Sequence, residues 1–256
     1  MKTVILAGGL GTRLSEYTEE IPKPMVEIGD VPILEHILNI YSSYNHNEFL
    51  IALGYKSNYI KKYFHNYNLY QSNLFIDFDK NKIEKIEEEK NNKWRISLID
   101  TGLETKTGGR LKRLKKYVGD ETFMLTYGDG LCNVNLDDLI SFHKSHGKLV
   151  TLTAVKPNAR FGELQLENDN VKVFEEKPQL DDGWINGGFF VIEPKFLDFI
   201  DGDDTLLERE PLEIAAKAGE LMAFRHNGFW QCMDSKRDKD YLDKLSINNP
   251  PWKKSF

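Results

Sequence analysis

The first 155 residues alternate between short apolar runs and longer amphipathic stretches. The apolar runs lie at 3–7, 49–53, 123–127 and 149–155. The amphipathic stretches have helical spacing and lie between them, at 32–44, 56–66, 107–118 and 135–147. This alternation predicts an α/β fold in which helices cover a mainly parallel sheet. Such sheets bind their ligands at the carboxyl ends of the strands.

The rest of the chain is richer in strand-forming segments. They lie at 162–166, 171–174, 184–192 and 221–225, and short helices are predicted after Pro194, Thr205 and Lys236. We interpret the chain as one domain, 1–256, in which residues 1–150 and residues 151–256 form the two walls of a cleft. The interval 73–100 breaks the alternation and is predicted to be a hairpin or loop insertion. Residues 74–78 and 94–99 have the pattern of strands, and the charged stretch 79–93 between them predicts an exposed hairpin or mobile loop, not a separate domain.

Composition restricts the kind of partner. The chain has 256 residues, 40% of them hydrophobic, and a formal net charge of −6. This charge argues against nucleic acid and against an anionic membrane surface, so any bound nucleotide is expected to be a small molecule. The first strand follows Met1 with no room for a signal peptide, and no apolar run has the length of a membrane span. We therefore expect a cytoplasmic protein.

Cysteine and histidine do not form a metal-binding pattern in the sequence. Cys132 and Cys232 lie a hundred positions apart, with no Cys-x-x-Cys motif or Cys/His cluster, so both are predicted to be reduced thiols. His143 and His146 lie in a polar helical stretch and are predicted to be surface residues.

A glycine-rich loop follows the first strand and carries the strongest functional signal. Residues 6–14 read Leu-Ala-Gly-Gly-Leu-Gly-Thr-Arg-Leu, and Lys23 follows between two prolines. Glycines leave backbone N–H groups accessible, and with two cations nearby they suit a polyphosphate. A dinucleotide fingerprint would need Gly or Ala where Leu14 stands, and the chain has no Gly-x-x-x-x-Gly-Lys-Ser/Thr motif.

The combination of Gly-x-Gly-Thr-Arg-Leu with Pro-Lys-Pro resembles the nucleotide-sugar pyrophosphorylase (nucleotidyltransferase) family. The resemblance implies a Rossmann-like mixed sheet of the nucleotide-diphospho-sugar transferase type. A second segment, Thr-Gly-Gly-Arg-Leu-Lys-Arg at 107–113, resembles the glucose-1-phosphate cytidylyltransferases of this family and implies CTP as the nucleotide. The nucleotide-binding residues implied by these matches are Leu6, Ala7, Gly8, Gly9, Leu10, Gly11, Thr12, Arg13, Lys23, Thr105, Gly109, Arg110 and Gly128.

Two aspartates are the candidate metal ligands. Asp129 follows a predicted strand and lies between two glycines, and the resemblance pairs it with Asp234 late in the chain. Two carboxylates, completed by phosphate oxygens and water, suit Mg²⁺. For Lys112, Arg113, Lys115 and Lys116, a solvated helix face is the preferred interpretation.

The sugar phosphate is assigned by resemblance to motifs in the second half. Glu-Lys-Pro at 176–178 implies that Lys177 contacts the sugar phosphate, and Asn-Gly-Gly at 186–188 implies contacts from Asn186 and Gly188 to sugar hydroxyls. Acid, amide and bare peptide groups suit hydroxyls, which need both donors and acceptors. Glu163 and Glu208 are further sugar-binding candidates.

The implied reaction joins CTP and α-D-glucose 1-phosphate, giving CDP-glucose and pyrophosphate. A phosphate with a second pKa of about 6 is already a nucleophile at neutral pH, so no covalent enzyme nucleophile is expected. Arg13, Lys23 and Asp129 are the implied catalytic residues. The resemblance also implies a homo-oligomer that supplies CDP-linked deoxysugars for a surface polysaccharide such as O-antigen.

Three alternatives remain open from the sequence. The first is a thymidylyl- or uridylyltransferase acting on a hexose 1-phosphate. The second is a non-catalytic regulatory subunit that binds nucleotide sugars, which the presence of both cations and both aspartates argues against. The third is a choline- or glycerol-phosphate cytidylyltransferase, which is disfavoured because its His-x-Gly-His motif is absent.

Overall fold

The computed structural model describes residues 1–88, 92–157, 163–167, 170–175 and 183–254, with the side chains of 85–88, 163–167 and 171–175 outside the description. The strands are β1 (Lys2–Leu6), β2 (Glu27–Ile28), β3 (Val31–Pro32), β4 (Glu48–Leu53), β5 (Ser72–Asp77), β6 (Lys82–Glu88), β7 (Arg95–Asp100), β8 (Phe123–Tyr127), β9 (Gly130–Cys132), β10 (Val150–Val155), β11 (Glu163–Glu167), β12 (Asn170–Glu175), β13 (Ile185–Asn186), β14 (Phe190–Ile192), β15 (Leu221–His226) and β16 (Trp230–Cys232). The α-helices are α1 (Ser15–Thr18), α2 (Ile33–Ser42), α3 (Ser57–His65), α4 (Tyr67–Tyr70), α5 (Thr107–Arg113), α6 (Lys115–Val118), α7 (Leu136–His146), α8 (Glu210–Lys217) and α9 (Lys236–Ser246). Short 3₁₀-helices span Thr12–Leu14, Lys23–Met25 and Pro194–Phe199.

A mixed, mainly parallel sheet forms the centre of the described residues. β1 pairs in parallel with β4 and β8, and β4 pairs in parallel with β7. β14 is antiparallel to β8 and to β10, while β15 pairs in parallel with β10 along its whole length. The parallel strands β1, β4 and β8 therefore end at one edge, as the alternating pattern predicts.

The sheet is buried on both faces because its strands present apolar side chains to both sides. In β1, Ile5 belongs to one apolar cluster and Val4 to the other. The helix α2 packs against the first cluster through Ile37, and α5 packs against the second through Leu111. Strands covered on both faces read as continuous apolar runs, which explains why they were detectable from sequence.

The interval 73–100 differs from its predicted role at one end. β5 and β6 form the expected antiparallel hairpin, but β7 is a parallel strand of the central sheet, in register with β4. The insertion therefore ends before Arg95. The strand predicted at 94–99 is present as β7, and it belongs to the central sheet and not to the hairpin.

The predicted strand at 184–192 is interrupted by its glycines. Gly188 has a φ of +75°, and a Cβ on Gly187 would lie 2.7 Å from Cγ1 of Val155. The chain therefore forms two short strands, β13 and β14, that pair with successive parts of β10. The bend stays bound to β10, since Gly187 N–H donates to the Thr153 carbonyl at 2.9 Å and the Gly188 carbonyl accepts from Thr153 N–H at 3.2 Å.

Two predictions about surface residues need correction. His143 is buried, with Nδ1 2.8 Å from Oγ1 of Thr151 and Nε2 3.1 Å from a carboxylate oxygen of Glu193. The basic residues of α5 and α6 are paired as well as solvated, since Arg113 donates to Asp203 at 2.6 Å. Partners distant in sequence account for both differences.

No helix among the described residues is long and apolar enough to cross a membrane.

Candidate active site

A cleft of about 1190 Å³ opens at the carboxyl ends of β1 and β8. The loop after β1 is tied to its neighbours by backbone bonds, in which Gly128 N–H donates to the Leu6 carbonyl and Tyr55 N–H donates to the Gly8 carbonyl. The predicted site residues that line the cleft are Leu6, Ala7, Gly8, Gly9, Leu10, Gly11, Thr12, Arg13, Lys23, Thr105, Arg110, Gly128, Asp129, Asn186, Glu208 and Asp234. A second cavity of about 770 Å³ beside α3 contains none of them.

The glycines of the loop differ in how closely other atoms surround them. Gly11 has a φ of +68°, and a Cβ there would lie 2.9 Å from Cγ2 of Thr18. No atom lies within 4 Å of the position that a Cβ on Gly9 would take. The loop therefore leaves open space at Gly9, beside the 3₁₀-helix Thr12–Leu14 that carries Arg13.

Arg110 lies beneath this loop. A Cβ on either Gly8 or Gly54 would lie 2.3 Å from its Nη1, so both glycines are required by the guanidinium. Arg110 is only 4% exposed. It donates hydrogen bonds of 2.6–3.0 Å to the carbonyls of Leu53, Gly102 and Leu103 and to the hydroxyl of Thr101. Burial lowers the pKa of this group, although the nearby Asp100 charge opposes the effect.

The two other residues predicted around Arg110 have different positions. Thr105 is buried and lines the cleft. Gly109 is packed instead against the backbone of Asp203, where a Cβ would lie 2.5 Å from the Asp203 Cα. Within the part of the chain that the structure describes, Gly109 is not among the residues that line the cleft. The glycine allows α5 to approach the 203–207 segment.

Four charged side chains meet at the cleft mouth. Nζ of Lys23 lies 2.6 Å from Oδ2 of Asp129 and 2.7 Å from Oδ1 of Asp234. Nη1 of Arg13 lies 2.7 Å from the other oxygen of Asp234. The Lys23 side chain is 12% exposed, whereas that of Arg13 is 76% exposed. The structure thus brings together the two cations and two aspartates singled out from the sequence.

Local structure fixes three of these groups. Lys23 begins a 3₁₀-helix directly after Pro22, which has an extended conformation. Asp129 lies between β8 and β9, and β9 pairs with β16, which ends two residues before Asp234. Asp238 accepts hydrogen bonds from the backbone N–H groups of Asp234 and Ser235 at 3.1 and 2.9 Å, within the capping box of α9. The aspartates are therefore held by sheet pairing and by a helix cap.

The charges shift one another's proton affinity. Burial alone would lower the pKa of Lys23, but the charges and hydrogen bonds of Asp129 and Asp234 outweigh it and raise that pKa. Burial would raise the pKa of Asp234, but Lys23 and Arg13 outweigh it and lower that pKa. The charged forms of Lys23 and Asp234 are therefore stabilised by their partners in the cluster.

The same aspartates form an oxygen site with the donors that a hard divalent cation prefers. Both carboxylates reach one cation, the ammonium of Lys23, so they can converge on a single ion. Among the described residues no group of three or more His, Cys, Asp or Glu side chains is arranged to hold a metal. An ion bound here would need oxygens from a substrate or water to complete its coordination, as Mg²⁺ commonly does.

Polar groups of the second wall form a connected network. Glu208 accepts hydrogen bonds from Oγ1 of Thr107 at 2.7 Å and from the hydroxyl of Tyr127 at 2.8 Å. Nδ2 of Asn186 donates to the Tyr127 hydroxyl at 3.3 Å, and Oδ1 of Asn186 accepts from Gly188 N–H at 2.9 Å. Thr107 and Tyr127 were not predicted as site residues, although Tyr127 immediately precedes the Gly-Asp-Gly motif.

Three predicted sugar-phosphate residues are not placed in the cleft lining. Gly188 is buried and is not among the described residues that line the cleft. Lys177 lies outside the described residues, and Glu163 lies in β11 with its side chain outside the description. Trp230 and Tyr241 line the cleft and were not predicted, because aromatic residues in the second half carry no motif of their own. The indole N–H of Trp230 donates to the Gly187 carbonyl at 2.7 Å and supports the Asn-Gly-Gly bend.

Comparisons with known proteins were made at the level of family, sequence and fold. Residues 2–235 match the family model described as nucleotidyl transferase. The chain is 51% identical over 255 residues to the glucose-1-phosphate cytidylyltransferases of Salmonella typhi and Salmonella typhimurium, covering 99% of this chain and 99% of each relative. The crystal structure of HddC from Yersinia pseudotuberculosis superposes with a TM-score of 0.69 at 24% identity, covering 95% of this chain and 98% of that one. The last similarity concerns the fold.

Proposed function

Because the chain belongs to the nucleotidyl transferase family, we propose that it is the enzyme that transfers a cytidylyl group from CTP to α-D-glucose 1-phosphate. The products are CDP-glucose and pyrophosphate. Identity of 51% over nearly the whole of two relatives with that activity supports the choice of substrates. The observation that carries the chemistry is the convergence of Arg13 and Lys23 on Asp234 beside the glycine loop.

The reaction needs charge neutralisation and alignment. A phosphate oxygen of the sugar phosphate attacks the α-phosphorus of CTP, a new P–O bond forms, and the bond to pyrophosphate breaks. The attacking phosphate is largely dianionic at neutral pH and needs no general base. Two anions must nevertheless be brought together, so fixed positive charge and backbone donors supply most of the catalysis.

Each group of the nucleotide side has a separate task in this proposal. The loop amides and Arg13 bind the triphosphate, because Arg13 is exposed and free to reorient toward pyrophosphate oxygens. Lys23 neutralises the α-phosphate. Its ammonium already binds the carboxylates of Asp129 and Asp234, and phosphate oxygens can bind it in the same way. Lys177 is proposed, by resemblance, to orient the sugar phosphate.

We propose that Asp129 and Asp234 hold Mg²⁺ together with phosphate oxygens and water. Their convergence on a single ammonium supports this assignment, and so does their hard oxygen chemistry. When bound, Mg²⁺ would neutralise phosphate charge. A cytoplasmic homo-oligomer that supplies CDP-linked sugars for a surface polysaccharide is proposed from the family resemblance.

The first test is pyrophosphate release from the purified protein with Mg²⁺ and glucose 1-phosphate. CTP, UTP, dTTP, ATP and GTP are compared in parallel, and reactions without the sugar phosphate measure hydrolysis of the nucleotide alone. Selective release with CTP, together with formation of CDP-glucose, is expected. Selective release with UTP or dTTP would retain the chemistry and reject the assignment of CTP. Absence of release with every nucleotide would favour a regulatory subunit.

A further inference from the structure

Tyr127 occupies a junction that the proposed reaction does not yet explain. Its phenol lies between Glu208 and Asn186, the two described side chains assigned to the sugar. Tyr127 is the last residue of β8, and its ring packs edge-to-face against Phe190, with the ring centroids 6.0 Å apart. The hydroxyl is therefore held by the sheet and not by a mobile loop.

The phenol of Tyr127 makes two hydrogen bonds within the protein, one as donor and one as acceptor. Its O–H donates to Glu208, and its oxygen accepts from Asn186. Nδ2 of Asn186 has two N–H groups and donates one of them to Tyr127, while Oδ1 accepts from Gly188 N–H, so with respect to the described residues the second N–H remains available to a ligand. The carboxylate of Glu208 accepts from Tyr127 and Thr107 and retains further lone pairs.

The free groups on the two sides of the phenol are complementary to a hydroxyl. Asn186 offers a donor and Glu208 offers an acceptor, and a sugar hydroxyl can accept from the first while it donates to the second. Thr107, at the first turn of α5, connects Glu208 to the nucleotide wall of the cleft, because its hydroxyl also accepts from Leu207 N–H at 2.9 Å.

We propose that Tyr127 is a positioning residue that sets sugar specificity by holding Asn186 and Glu208 in register for the hydroxyls of the hexose. The proposal rests on the proposed function, since it requires that the second wall binds a sugar phosphate. Tyr127 acts through its two neighbours, and its own hydroxyl is not a direct contact for substrate.

The test is Tyr127→Phe, which removes the hydroxyl and retains the ring. We expect the KM for glucose 1-phosphate to rise roughly 10-fold, because a hydrogen bond to a charged group is lost. The KM for CTP should change less than about 2-fold, and preference for glucose 1-phosphate over galactose 1-phosphate should fall. Tyr63→Phe is the matched control, because it removes a phenol bond of 2.6 Å to the Glu35 carboxylate, outside the cleft lining.

A second variant separates positioning from a general loss of structure. The double variant Tyr127→Phe/Asn186→Ala is compared with the two single variants. If Tyr127 acts through Asn186, the fold increase in the KM for glucose 1-phosphate in the double variant should be smaller than the product of the two single fold increases. Multiplicative effects, equal rises in both KM values, or an unchanged sugar KM would overturn the proposal. If the wild-type enzyme uses another nucleotide or sugar phosphate, the proposed function fails, and the same measurement on that pair still decides the role of Tyr127.

Discussion

Two cations lie beside the glycine loop, one bonded to uncharged oxygens and the other to carboxylates. Arg110, next to Gly8, is surrounded by carbonyl and hydroxyl oxygens, and its pKa is lowered by burial. Lys23, next to Gly11, is bound by two carboxylates, and its pKa is raised. Uncharged oxygens hold a cation in position, but they replace only part of the favourable hydration that the cation loses on burial. Carboxylates offset that loss, and phosphate oxygens can compete with them, so we expect Arg110 to contribute mainly to stability and Lys23 mainly to the reaction.

Replacing each cation with methionine gives the largest expected effects. Lys23→Met should lower kcat by about 10³-fold, the upper range for one preorganised electrostatic contact. Arg110→Met should lower the free energy of unfolding by about 3 kcal/mol, because several buried acceptors lose their donor. Urea unfolding and steady-state kinetics on both variants measure the two quantities. The comparison fails if Arg110→Met is as stable as wild type, or if Lys23→Met retains nearly full kcat.

The carboxylate partners are tested by Asp129→Asn. This variant keeps the size of the side chain and removes its charge, so the Mg²⁺ concentration for half-maximal rate should rise at least about 100-fold, the upper end of the losses seen for groups that only support metal ligands. Asp137→Asn, on the exposed first turn of α7, is the control. An unchanged Mg²⁺ titration for Asp129→Asn would reject the metal assignment.

Two glycines in the same loop sharpen the comparison. Gly8→Ala would place a Cβ 2.3 Å from Nη1 of Arg110, so we expect a loss of about 2 kcal/mol in unfolding free energy from overpacking. Gly9→Ala has open space around its Cβ and should fold with a stability within about 0.5 kcal/mol of wild type. If both variants unfold at the wild-type urea concentration, Arg110 does not require Gly8.

The smallest predicted effect concerns a histidine that resembles Arg110 in having neutral partners. Nε2 of His36 donates to the Ile28 carbonyl, and Nδ1 accepts from the Trp252 indole, so protonation of Nδ1 would break the second bond. Burial lowers the pKa of His36. Because the unfolded chain then binds the proton more readily, the free energy of unfolding should fall as the pH drops through about 6.5.

Urea unfolding at pH 7.5, 6.5 and 5.5 measures this slope. His36→Gln should flatten part of it, whereas replacing the exposed His65 with Gln should not. The burial of His46, His146 and His226 also lowers their pKa values, so some slope is expected to remain. A slope identical to wild type in His36→Gln would contradict the prediction.

Periodicity was sufficient to predict the elements that form the sheet and its covering helices. β1, β4 and β8 are largely apolar because helices bury both faces, and the loop after β1 was evident from its glycines. The strand predicted at 94–99 is present as β7, but its parallel pairing with β4 could not be read from a local pattern. The break at Gly187 depends on a side chain of β10, which no local pattern reveals.

Contacts between distant residues decided most of the site. Asp129 and Asp234 were paired by motif resemblance, but the contact of Arg13 with Asp234 and the shared ammonium of Lys23 could be seen only in three dimensions. The four protein acceptors of Arg110 were not evident from the sequence, and its predicted contact with nucleotide stays a prediction. The bond of Tyr127 to Glu208 spans 81 positions, so sequence spacing carries no signal for it.

The residues of the charge cluster lie far apart in the sequence, so the cluster is completed late in the synthesis of the chain. Arg13 and Asp234 are separated by 221 positions, so a ribosome that adds about 5–20 residues per second needs roughly 10–45 s to pass from one to the other. During this interval β1 can pair with β4, but Lys23 has neither carboxylate until Asp129 is made and only one of them until Asp234 is made. A nascent chain released before β16 would carry the glycine loop without Asp234, and premature termination there would leave a partly folded, inactive protein.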